Sequence, residues 1–151
     1  MNIEIKKELL AHCLKTIGER IATAGEALKE AQEAANEETK GSAGDKHETG
    51  RAMMQIERDK HARIYNEALE QKRLLEQVNI DVVSSHIRPG NLVKTSEGNF
   101  FLLMGLGKIQ KGTTEVFVIA PASPLGAQLM HKRAGDKVLF NGRNYLIMEV
   151  I

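Results

Sequence analysis

Asp45 and Glu48 stand three residues apart in the polar segment Gly44-Asp45-Lys46-His47-Glu48-Thr49, and two kinds of chemistry fit that spacing. In the first, the acids open a helix as a capping box, with Asp45 as N-cap and Glu48 at the third helical position. In the second, they are two hard oxygen donors able to share a divalent ion such as magnesium. Two carboxylates cannot complete an octahedral shell, so any ion held here needs waters or ligands from another molecule. That requirement argues against a self-contained metal enzyme. His47, between the acids, reads as a solvated loop histidine that can tune the pair electrostatically.

Other chemistries find few residues to use. Gly105-Leu106-Gly107 lacks the third glycine and the βαβ setting of a dinucleotide fingerprint, there is no Gly-Lys-Ser or Gly-Lys-Thr phosphate loop, and a turn or bulge explains the glycines. The histidines are scattered and form no cluster with cysteine of the kind that binds zinc. Ser123 precedes Pro124 and reads as an N-cap rather than a nucleophile. The single cysteine, Cys13, has no intramolecular disulfide partner and lies beside an apolar stripe, where it reads as a packing residue.

The elements flanking the acids are helical in pattern. Leu10, Leu14, Ile17, Ile21, Ala24, Leu28, Ala31 and Ala35 alternate steps of four and three, which makes one stripe on an α-helix and a heptad seam. Downstream, the same alternation runs through Met54, Glu57, His61, Ile64, Ala68, Gln71, Leu75 and Val78, weaker toward the acids. Gly41-Ser42-Ala43-Gly44 supplies the permissive backbone for a reversal. The pattern predicts two helices of roughly 25 to 30 residues each, a hairpin arm roughly 40 Å long with the acids at its tip. Small residues at Ala24, Ala31, Ala35 and Ala68 favour close interhelical approach.

The sequence changes character between Asn79 and Pro89, from densely charged to short apolar runs separated by glycine. The expected division is therefore an arm over residues 1–80, with its tip at 41–49, and a small domain over 81–151. Strands are expected at 91–95, 100–104, 115–120, 137–140 and 144–150, and a short helix at 124–130 capped by Ser123. Asn141-Gly142 is the pair favoured in a type I′ hairpin turn. The fold class is α+β, with a long antiparallel helical hairpin followed by a small antiparallel sheet covered by the short helix.

The chain of 151 residues carries a formal charge of +1. Residues 1–80 hold 13 basic and 15 acidic residues, and residues 81–151 hold 8 and 5, so the halves differ only mildly in sign. This is no footprint of autonomous duplex binding, and few aromatics are present to stack on bases. No membrane-length apolar segment and no signal-peptide pattern is present, so cytoplasm is the expected location.

Three features together resemble the Gre-type (GreA/GreB) family of bacterial transcription elongation factors. They are the helical hairpin, the Gly-Asp-x-x-Glu tip at Gly44 to Glu48, and Ala122-Ser123-Pro124-Leu125-Gly126 followed by Gly135-Asp136-Lys137-Val138. The resemblance covers about residues 5 to 151. It implies an N-terminal antiparallel coiled coil and an FKBP-like C-terminal domain, with no prolyl isomerase activity implied. It also implies a protein that is no enzyme itself. Such a factor docks on RNA polymerase, inserts its coiled coil into the secondary channel, and stimulates magnesium-dependent cleavage of backtracked RNA, acting as a monomer and touching nucleic acid only inside that complex. Asp45 and Glu48 match the two tip acids that help hold the second magnesium ion, shared with the polymerase. After Glu48 the chain departs from the family: Arg51 and Ala52 stand where cleavage factors more often carry an acid and a tyrosine. A channel-occupying regulator without cleavage activity, or a coiled-coil interaction protein whose acids only cap a helix, are the alternatives.

Overall fold

The computed structural model describes residues 2–39 and 48–151. They form two compact units, Leu14–Leu74 and, drawn from both ends of the chain, Met1–Cys13 with Leu75–Ile151.

Two helices, α1 (Ile3–Thr39) and α2 (Glu48–Gln77), form a hairpin. At 37 and 30 residues they are roughly 55 and 45 Å long, α1 exceeding the expected length. None of the three prolines falls before residue 89, so nothing in either helix interrupts the hydrogen-bond ladder. Within the unit Leu14–Leu74, Ile17, Ala24 and Ala35 of α1 are buried, and Leu14, Ile21, Leu28 and Ala31 are half-buried beside them. The α1 stripe is thus close to the expected one.

The α2 stripe differs in its middle. Ile64 is 44% exposed and Glu57 is exposed, while Arg58 and Tyr65, one residue further on, are half-buried. The inward-facing row therefore runs Met54, Arg58, His61, Tyr65, Ala68, Gln71. Gly25 on α1 explains the shift: a Cβ there would stand 3.3 Å from Tyr65 Cε2, so the missing side chain makes room for the ring. Aromatic area outweighs an isoleucine of ideal spacing once the facing helix offers a space for it.

The second unit is built on a six-stranded sheet. Its strands are β1 (Leu92–Thr95), β2 (Gly98–Leu102), β3 (Gly107–Lys111), β4 (Thr114–Ile119), β5 (Lys137–Phe140) and β6 (Arg143–Val150), in the order β3-β4-β2-β1-β6-β5. A short helix, α3 (Pro124–Leu129), joins β4 to β5. The expectation of a purely antiparallel sheet is corrected here: β2 and β4 run parallel, in the register Phe100 to Phe117 and Phe101 to Val118. The cause is β3, absent from the sequence-based expectation. The chain leaves β2, forms β3 on the far side, and returns by the β3–β4 hairpin into the gap beside β2. With only Ile109 buried, β3 is an edge strand whose Gly-Lys-Ile-Gln-Lys sequence carries almost no apolar signal.

Parallel pairing goes with burial on both sheet faces, and Phe100, Phe101 and Leu102 are accordingly all buried in succession. Phe100 and Leu102 join Val93, Tyr145, Ile147, Val138, Leu129 and Ile87 in one cluster. Phe100 stacks on Phe117 at 5.8 Å and meets Tyr145 edge-on at 6.0 Å. Register puts Leu92, Phe101 and Val118 on the opposite face, each also buried.

Candidate functional site

Asp45 and His47 lie outside the described residues, as does the side-chain pairing expected of Asp45 with Glu48. Glu48 is the first residue of α2, and α1 ends at Thr39. The segment carrying the acids thus links the two helices of the hairpin. Arg51, in the first turn of α2, is half-buried, and its Nε is buried without a hydrogen-bond partner among the described residues. A guanidinium donor left unsatisfied costs on the order of 1 kcal/mol or more, and it is chemically ready for an anion or a carboxylate.

In the sheet unit, the residues that carried the sequence resemblance are structural. Ser123 caps α3 by accepting from Gly126 N at 3.1 Å, and its hydroxyl donates to the Ala120 carbonyl at 2.6 Å. Pro124 occupies the first turn, as expected. Gly126 is obligatory, because a Cβ would fall 2.1 Å from the Ala120 carbonyl oxygen. Asp136 accepts from Arg133 N at 2.8 Å through its carboxylate, and its carbonyl accepts from Ile147 N at 2.9 Å, so it anchors the start of β5 to β6. Asn141 and Gly142 both have positive φ, 49° and 76°, as a type I′ turn demands.

The surface of this unit offers an apolar patch. Leu139 on β5 and Leu146 and Met148 on β6 are 67%, 38% and 51% exposed. They alternate with buried Val138, Tyr145 and Ile147, so they share the face opposite that core, on the edge formed by β5 and β6. Lys137 pairs across from Leu146 on the same face.

No protein-family model and no curated protein matches this chain.

Sequence reasoning missed Lys6. It is only 2% exposed, and it lies on the same helical row as buried Leu9, Cys13 and Ile17. Running the apolar stripe back by one turn from Leu9 and Cys13 reaches it, but a lysine near a helix start reads as a solvated residue unless its surroundings are seen. Cys13 itself is fully buried. Among the described residues, no group of three or more histidine, cysteine or acidic side chains is placed to hold a metal ion. Among the same residues, no helix is long and apolar enough to cross a membrane.

Proposed function

We propose that the chain is a Gre-type secondary-channel factor that binds bacterial RNA polymerase and stimulates magnesium-dependent cleavage of backtracked RNA. The reading is supported by one juxtaposition in the sequence, an Asp-x-x-Glu motif whose glutamate opens the second of two helices of 37 and 30 residues. The antiparallel coiled coil and the FKBP-like sheet domain belong to the same proposal, and the apolar patch of Leu139, Leu146 and Met148 is a surface on which the sheet unit would dock.

The chemistry follows from the incompleteness of the site. Two acids supply part of a magnesium shell, and the polymerase supplies the rest together with the first ion. Asp45 and Glu48 would hold and orient such an ion, and the chemistry it would supply is activation of water and neutralisation of charge at the phosphate. Long helices serve this reaction because a misplacement of about 1 Å can cost roughly a hundredfold in rate. The protein in this reading completes a partner's active site and holds none of its own.

The test uses backtracked transcription complexes with the full-length protein and magnesium. Asp45→Asn and Glu48→Gln each remove ligand charge with little change of shape, so each should abolish most stimulation while leaving helicity and polymerase binding intact. Equal stimulation by both variants and the parent would reject the magnesium role, and cleavage of free RNA by the protein alone would identify a nuclease instead.

Arg51 favours a second reading, a channel-bound regulator without cleavage activity. Its guanidinium, whose Nε has no hydrogen-bond partner among the described residues, belongs to a residue within one turn of Glu48 in the sequence, where a cation opposes a second magnesium ion. Competition with a cleavage-active factor, with no transcript shortening, would establish that reading.

A further inference from the structure

Within the unit Leu14–Leu74, one flank of the hairpin is an open groove of about 810 Å³, lined by Ala24, Ala27 and Ala68 and by the exposed Ile64. On α2, Ile64, Glu67 and Gln71 line it, and the row they form continues at heptad spacing to Lys60 and the exposed Ile56 on one side and the exposed Leu74 on the other. On α1, the facing row of Thr16, Arg20, Thr23 and Ala27 runs on to Glu30 and Ala34. The packing of Tyr65 against Gly25 sets the heights of the two rows, so Ala27 stands level with Ile64, Glu30 with Lys60 and Ala34 with Ile56. Glu67 stands level with Thr23, and Arg20 is one turn away. Arg20, Glu30, Lys60 and Glu67 form no ion pair among the described residues. The two rows are therefore complementary at each level, small against large where they are apolar and acid against base where they are charged.

We propose that a second copy of this chain covers the groove when the protein is free, in a face-to-face dimer whose two-fold axis runs along the hairpin. That axis lays α1 of one copy on α2 of the other at the same height. Ile64 and Ile56 then enter against Ala27 and Ala34 of the other copy, Lys60 meets Glu30, and Glu67 meets Arg20, each contact being made twice. The result is a four-helix bundle in which side chains exposed on one hairpin fill the spaces left by small residues on the other. Complementarity between the two rims of one groove is the property this symmetry requires, because the α1 rim of each copy becomes the partner of the α2 rim. Two bases and two acids in these rows attract no strongly charged partner, and a groove this open encloses no small molecule. The lining is about half the roughly 20–30 residues that each side of a standard interface contributes, so the dimer is weak, with Kd on the order of 10–100 µM. The charged pairs fix which helix meets which, and the apolar contacts supply most of the affinity.

The proposal does not rest on the polymerase reading, and it is tested with the full-length protein alone. Sedimentation equilibrium at low salt, over about 5–500 µM protein, is expected to show a reversible doubling of mass. Ile64→Glu is expected to weaken association at least about tenfold, since it places a charge at the centre of the apolar contact. Lys60→Glu and Glu30→Lys should each weaken it by about the same factor at low salt, because two attractions become two repulsions. The double variant, Lys60→Glu with Glu30→Lys, restores the opposite charges and should return association to within about twofold of the parent. All three positions are exposed, so the variants fold, and circular dichroism melting at low protein concentration verifies it. A protein that stays monomeric over the whole range overturns the proposal and leaves the groove to a foreign helix. A dimer that Ile64→Glu leaves intact, or one that the double exchange fails to restore, overturns it as well.

Discussion

The α2 stripe can be tested by one comparison, Ile17→Ala against Ile64→Ala. Both residues are isoleucines on the hairpin helices, but Ile17 is fully buried and Ile64 is 44% exposed. Truncating Ile17 removes three buried carbon groups at about 0.8 kcal/mol each, and incomplete collapse of the space left behind adds a cavity term. The better helix propensity of alanine returns about 0.4 kcal/mol. The net cost is about 2–4 kcal/mol, which for a cooperative unit of this size lowers Tm by on the order of 10 °C or more. For Ile64 the transfer term is roughly halved and the space opens to water, so the propensity gain leaves a loss below about 1 kcal/mol. Circular dichroism melting of the two variants, with cleavage of backtracked complexes measured where both remain folded, reads the difference. Equal losses at the two positions would refute the Tyr65 register and restore the heptad row through Glu57 and Ile64.

Four shorter predictions follow from the same geometry. Gly18 is an exposed mid-helix glycine with open space around its absent side chain, so Gly18→Ala should raise stability by about 1 kcal/mol in urea melts. Gly126→Ala places a Cβ against the Ala120 carbonyl and should destabilise the sheet unit by about 1–3 kcal/mol, with α3 losing amide-exchange protection first. Lys6 has a folded-state pKa below its ordinary 10.5, so the unfolded chain binds more protons between the two values. Stability relative to Lys6→Met should then rise with pH across that window in urea melts, and a flat difference would contradict the burial argument. Leu139→Glu and Met148→Glu should leave melting unchanged and weaken polymerase binding if the β5–β6 face is the docking surface.

Where the sequence was informative, local chemistry decided the local structure. Asn141-Gly142 and Ser123-Pro124 fix their turn and cap through their own backbone preferences, and both are found as expected. Ile17, Ala24 and Ala35 kept their spacing because a long helix without proline leaves periodicity as the dominant signal. What was not legible depended on distant partners. Tyr65 displaces Ile64 because Gly25, forty residues earlier, has no side chain. The parallel β2–β4 pair depends on β3, whose polar edge sequence hides it. Lys6 acquires its character from Asp81 and the aliphatic residues beside it, which no local window contains. At the tip, spacing nominated Asp45 and Glu48, while their pairing lies outside the described residues.

The sheet unit gathers its members from both ends of the chain, Met1–Cys13 and Leu75–Ile151. On the ribosome, this sets an order of events. Lys6, Leu9 and Cys13 are made first, yet the residues that share their unit are made last. At about 10 residues per second, the opening turns of α1 wait roughly ten seconds for the final strand. Throughout that interval the intervening helices can form while the unit that holds Leu9 and Cys13 is still incomplete, so the first residues synthesised belong to the last unit to be finished. A nascent chain stalled before β6 should therefore hold formed helices and an unfinished sheet unit, and amide exchange in that unit should reach its final protection only after β6 is released.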